Sequence, residues 1–148
     1  MKTRKSFVLG LIFAATIAIA APPRTVINPR SNALNKNEPP FSGAVKVGDT
    51  LYISGQIGLG PGQKPPLLVM DEATLVMEAV KKQLADAGMT PDDLVSVQVF
   101  CSDVRHYDAF NAVYRTYFTR EFPARAFLGS GPLLFGARFE VMGIAVKR

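Results

Sequence analysis

The sequence predicts an α+β fold in which two helices cover one face of a mixed sheet. Two observations carry this. Strand-like segments recur at five places between residues 41 and 147, and two stretches with helical spacing separate them, giving the order β-β-α-β-α-β-β. Helices alternating with hairpin-forming strands gather on one side of such a sheet.

The elements follow in chain order. "FSGAVKVGDTLYISGQI" gives strands over 41–47 and 50–56, joined through Gly48-Asp49 at a point where a hairpin needs positive φ. "GLGPGQKPP", residues 58–66, is a loop; its glycines lack phosphate-loop spacing and prolines stand where a helix would open. Over 71–87, Leu75, Met77, Val80 and Leu84 lie near one face, acids occupy the first turn and Gly88 supplies the C-cap. "LVSVQVFCSD", 94–103, alternates as a strand does. Asp103 is placed to cap a second helix carrying Tyr107, Phe110, Val113, Tyr114 and Tyr117. "ARAFLGS" and "ARFEVMGIAVK" are the last two strands, separated by a glycine-rich connection.

Before residue 40 the chain reads differently. A basic start (Lys2, Arg4, Lys5), an apolar run from Phe7 to Ala20 and small residues at Ala18 and Ala20 have the layout of a secretory leader over 1–20. The apolar run, about 14 residues, is shorter than the ~20 of a spanning helix. An uncleaved membrane anchor is the competing reading; cleavage after Ala20, which leaves Ala21 rather than Pro22 at the new N-terminus, is expected, with a periplasmic or secreted product and no membrane attachment afterwards. Residues 21–39, rich in Pro, Asn, Arg and Lys, read as a flexible arm, and 40–148 as one domain. Removing Lys2, Arg4 and Lys5 with the leader lowers the formal net charge from +5 to +2, so nothing calls for a nucleic-acid partner. Cys101, the only cysteine, is in phase with Val95, Val97 and Val99 and reads as a core thiol.

Candidate chemistry is found by elimination. One His and one Cys leave no material for a zinc site or a Cys-His pair, so no metal is expected. His106 reads as a surface residue near a helix start. Arg125 and Glu140 remain, each interrupting a strand that otherwise reads as core. A direct hairpin between those strands would set the two charges opposite each other, and even without it both could project from one face. Two readings stay open: an internal ion pair that holds the sheet together, or a guanidinium fork open to a carboxylate beside a glutamate that handles water.

The segments "VGDTLYISGQI", "ADAGMTPDDLVSVQVFCSDV", "FNAVYRTYF", "FPAR" and "FEVMGIAVKR", in this order and spacing, resemble the RidA (YjgF) family of imine deaminases. The resemblance implies a chorismate-mutase-like fold, a homotrimer with sites between subunits, and hydrolysis of 2-imino or 2-enamino acids to 2-keto acids and ammonia without a cofactor. It implies that Arg125 binds the substrate carboxylate and Glu140 holds the attacking water. Ser54 and Gly55 match site-lining positions, and Asn111 and Tyr114 match recurrent residues of the second helix, where packing and subunit contacts are the competing reading. Phe41 stands where a tyrosine is common and Phe127 where a cysteine is common, which bears on substrate range. Those two substitutions keep a second function class in view, a binding module that holds a small carboxylate or apolar ligand without turnover. An RNA-directed role is disfavoured by the low mature charge and the absence of interleaved aromatic and basic residues.

Overall fold

A computed structural model describes residues 20–29 and 37–148. Except for Ala20, the expected leader lies outside the described residues. Six strands form one mixed sheet: β1 (Arg24–Pro29), β2 (Ser42–Val47), β3 (Thr50–Ile57), β4 (Leu94–Cys101), β5 (Ala124–Gly129) and β6 (Phe139–Val146). Two helices, α1 (Val69–Asp86) and α2 (Tyr107–Tyr114), lie on one face. The strand order is β1-β2-β3-β6-β4-β5. Only β4 and β5 run parallel; the other neighbours are antiparallel.

The hairpin between β2 and β3 turns where expected, with Gly48 at φ +57° and Val47 opposite Thr50. Along β3, β4 and β6 the residues Leu51, Ile53, Val97, Val99, Cys101, Phe139, Val141 and Ala145 are buried beneath the helices. Ala73, Val76, Met77, Val80 and Leu84 of α1 and Phe110, Val113 and Tyr114 of α2 close over them. This is the expected α+β layer arrangement.

Four details correct the sequence reading. Residues 24–29, expected in a flexible arm, form an edge strand on β2. Their run Thr25-Val26-Ile27 is β-branched but short and bracketed by prolines, and Asn28 fastens it by donating to Gln83 and Asp86 of α1. Leu75 is exposed, because the buried stripe of α1 runs 73, 76, 77, 80, 84. Val95 is likewise exposed: a register shift between Leu94 and Ser96 turns it away, so Cys101 keeps phase with Val97 and Val99 alone. Last, β5 and β6 are not a hairpin. The parallel return through α2 lays β5 on the outer edge of β4, and β6 runs between β3 and β4.

Candidate functional site

That last correction decides where the two charges lie. On β4, Val97 is opposite Arg125 and Phe100 is opposite Glu140. Residues three apart on a strand point to opposite faces. Arg125 therefore shares the helix-covered face with buried Val97, and Glu140 projects from the uncovered face with Phe100. Neither the facing pair nor the shared face holds, and no ion pair between them forms within one chain.

Arg125 is half-buried and enclosed by rings. Its guanidinium carbon lies 4.6 Å from the Tyr114 ring centroid and 5.8 Å from those of Tyr107 and Phe127. Among the described residues no carboxylate comes within ion-pair distance of it. Cation–π contacts of this kind hold a guanidinium in place without neutralising it. A cavity of about 170 Å³ opens beside it, lined by Asn111, Tyr114, Arg115, Phe122, Pro123 and Arg125. The Tyr114 hydroxyl is buried and meets no hydrogen-bond partner among the described residues. Burial pushes that phenol up to about 12, against a smaller opposing pull from the Arg125 charge, so it remains a proton donor at neutral pH.

Glu140 belongs to a second cluster. A register shift in β3 between Ile53 and Gln56 encloses Ser54 and Gly55, and the Glu140 carboxylate lies against Gly55 so closely that a Cβ there would stand 1.9 Å from Oε1. Glycine is what lets this carboxylate rest on the strand. The Ser54 hydroxyl donates to the Ser42 carbonyl at 2.6 Å, which ties the bulge to the start of β2, next to the exposed ring of Phe41.

The expected site residues thus fall into two groups. Arg125, Asn111 and Tyr114 line one cavity; Glu140, Ser54 and Gly55 form the other cluster, with Phe41 at its margin. Phe127 does not line the cavity, because its ring packs edge-on against Tyr107 at 5.0 Å and Phe110 at 5.7 Å. It supports the guanidinium from behind instead of filling the space in front. Arg115, Phe122 and Pro123 were not foreseen as lining residues. Their only sequence signal is adjacency, Arg115 following Tyr114 and the Phe-Pro pair preceding Ala124-Arg125. Cys101 is a packed thiol whose ionisation is pushed up by burial, and its Sγ donates to the Asp103 carbonyl.

A mixed six-stranded sheet with two helices on one face, an edge-strand arginine with no carboxylate partner among the described residues and a separate carboxylate cluster define a small α+β protein. The chain belongs to the RidA/YjgF family: the model of the family described as "Endoribonuclease L-PSP" matches residues 31–147. It is 38% identical over 110 residues to the 2-iminobutanoate/2-iminopropanoate deaminase of Mus musculus, covering 73% of this chain and 82% of that one. Protein HMF1 of Saccharomyces cerevisiae is 33% identical over 109 residues, covering 73% and 84%. Among solved structures, E. coli TdcF with bound serine superposes with a TM-score of 0.73 at 27% identity, covering 84% of this chain and 99% of that one. The YjgF gene product of E. coli gives 0.73 at 28% identity, with 84% and 99% covered.

Proposed function

We propose that this protein hydrolyses 2-imino and 2-enamino acids to 2-oxo acids and ammonia, at a site completed by two copies of the chain within a homotrimer. The observation that carries the reading is the Arg125 guanidinium, fixed by three rings and left without a carboxylate among the described residues. A planar fork held this way matches a substrate carboxylate in bidentate geometry. Support also comes from relatives named as 2-iminobutanoate/2-iminopropanoate deaminases and from a relative crystallised with serine.

Because Glu140 projects from the opposite face, the glutamate that meets an Arg125-bound substrate comes from a second copy. The chemistry then needs positioning more than activation, since C=N is already electrophilic. Glu140 takes a proton from water as the oxygen bonds to C2, and the C=N π pair moves to nitrogen, which takes a proton from solvent that the final loss of the hydroxyl proton gives back. In the resulting carbinolamine, Glu140 returns the proton to the amine. The C–N bond breaks with its pair leaving on ammonia, and loss of the hydroxyl proton forms C=O. The balance is one water consumed and one ammonia released, with no redox change.

The test couples the purified protein to an amino-acid oxidase and follows loss of the imine. Wild type should accelerate it, and Arg125→Ala should lower kcat/KM by about 100-fold or more, the scale for losing a charged anchor in a desolvated site. Wild type no faster than buffer across several imino acids would overturn the reading. Ligand-dependent stabilisation without turnover would instead identify a binding module. A secretory leader over 1–20, as its sequence layout suggests, would put this activity outside the cytosol, with imines supplied by oxidases or dehydrogenases of that compartment. N-terminal sequencing of the exported protein should begin at Ala21.

A further inference from the structure

The Arg125 cavity is lined by a second arginine, the exposed Arg115, for which a monocarboxylate on Arg125 has no use. Arg115 lies in the short turn that follows α2 (Arg115–Tyr117), and its guanidinium carbon is 5.7 Å from the Phe122 ring centroid. Like Arg125, it has no carboxylate within ion-pair distance among the described residues. No Asp or Glu lines the cavity; its polar groups are two guanidiniums, the Asn111 amide and the Tyr114 phenol.

Two positive charges on the wall of one small cavity repel, and an anion between them relieves that repulsion. A single carboxylate on Arg125 neutralises only one of them. We infer that the preferred substrates carry a second acidic group, that Arg115 reads this distal group, and that the substrate class is therefore the short dicarboxylic 2-imino acids. This rests on the hydrolase reading above and refines it. The Phe122 ring beside Arg115 adds rigidity, since a guanidinium held near an aromatic ring loses less freedom on pairing with a carboxylate. Beside them the buried Tyr114 hydroxyl has no hydrogen-bond partner among the described residues.

The test measures kcat/KM for four- and five-carbon dicarboxylic imines and for the imine of 2-aminobutanoate, each generated in situ by an oxidase of matching specificity. In parallel, thermal stabilisation by 2-oxoglutarate is compared with that by 2-oxobutanoate. Wild type should favour the diacid in both. Arg115→Ala should lower the diacid-to-monoacid ratio by about tenfold or more, and Arg115→Glu should reverse it, the scale expected for one charge-assisted pair. If the ratio is the same in wild type and both variants, or both substrates are lost in proportion, the inference is overturned while the hydrolase reading stands. If no imine is turned over but the stabilisation ratio responds to Arg115, the ligand class stands and the hydrolase reading falls.

Discussion

Two buried or half-buried polar groups on the helix side of the sheet, the Arg125 guanidinium and the Tyr114 hydroxyl, find no carboxylate and no hydrogen-bond partner respectively among the described residues. A buried polar atom with no partner costs roughly 1–3 kcal/mol, so its retention at a cavity wall argues for a role in binding. Tyr114→Phe should therefore leave the ligand-free protein equally stable or up to about 1 kcal/mol more stable in urea denaturation, while ligand stabilisation shrinks. A clear loss of stability without ligand would mean that the hydroxyl has a structural partner after all. Arg125 and Glu140 were legible in the sequence because a charge interrupting an apolar strand stands out against its neighbours. Arg115 was not. An arginine at a helix end looks like ordinary solvated surface until the fold brings Phe122 and Arg125 beside it.

Glycines in and after β3 separate function from stability. At Gly55 an added Cβ would meet the end of the Glu140 side chain, with Oε1 1.9 Å away, and that carboxylate can swing aside. At Gly58 it would meet backbone, the Glu72 carbonyl oxygen at 2.4 Å, which cannot move without displacing α1. If Glu140 holds the attacking water as proposed, Gly55→Ala should lower kcat at least about tenfold with little change in melting temperature, since displacing that carboxylate costs rate more than fold. Gly58→Ala should lower the melting temperature whatever its effect on rate. The same loop is tied down by buried Glu72, which accepts from the Arg138 backbone N–H at 2.5 Å, from Arg138 Nε at 2.6 Å and from the Phe139 N–H at 3.2 Å. Arg138 also donates to the Pro66 and Leu67 carbonyls. Arg138→Ala leaves the buried Glu72 carboxylate its two backbone N–H donors but removes its paired cation, and should cost about 3 kcal/mol in urea denaturation. None of this clamp was visible in the sequence, because its partners lie 66 or more residues apart. Local patterns such as the β2–β3 turn and the Gly88 cap were visible, since Gly48 and Gly88 need only their own neighbours to define them.

The sequence carries each strand's alternation but not which strand lies beside which, and that missing fact separates the two charges. Pairing by adjacency put β5 against β6; the parallel return through α2 puts β4 between them and sends Arg125 and Glu140 to opposite faces. The uncovered face also carries Tyr52, Leu128, Met142 and Val146, each exposed by 37% or more. A sheet face this apolar calls for cover, and identical copies can supply it by closed symmetry. Sedimentation should accordingly report a trimer of the domain. The sharper consequence concerns activity. If each site takes its arginine from one copy and its glutamate from another, Arg125→Ala and Glu140→Gln are each inactive alone but complement when mixed. Co-refolded in equal amounts, they should regain about a quarter of wild-type activity, because random assembly places an intact Arg125 opposite an intact Glu140 at about one site in four. Mixed trimers that form, as shown by differentially tagged pull-down, yet stay inactive would overturn a site shared between Arg125 of one copy and Glu140 of another.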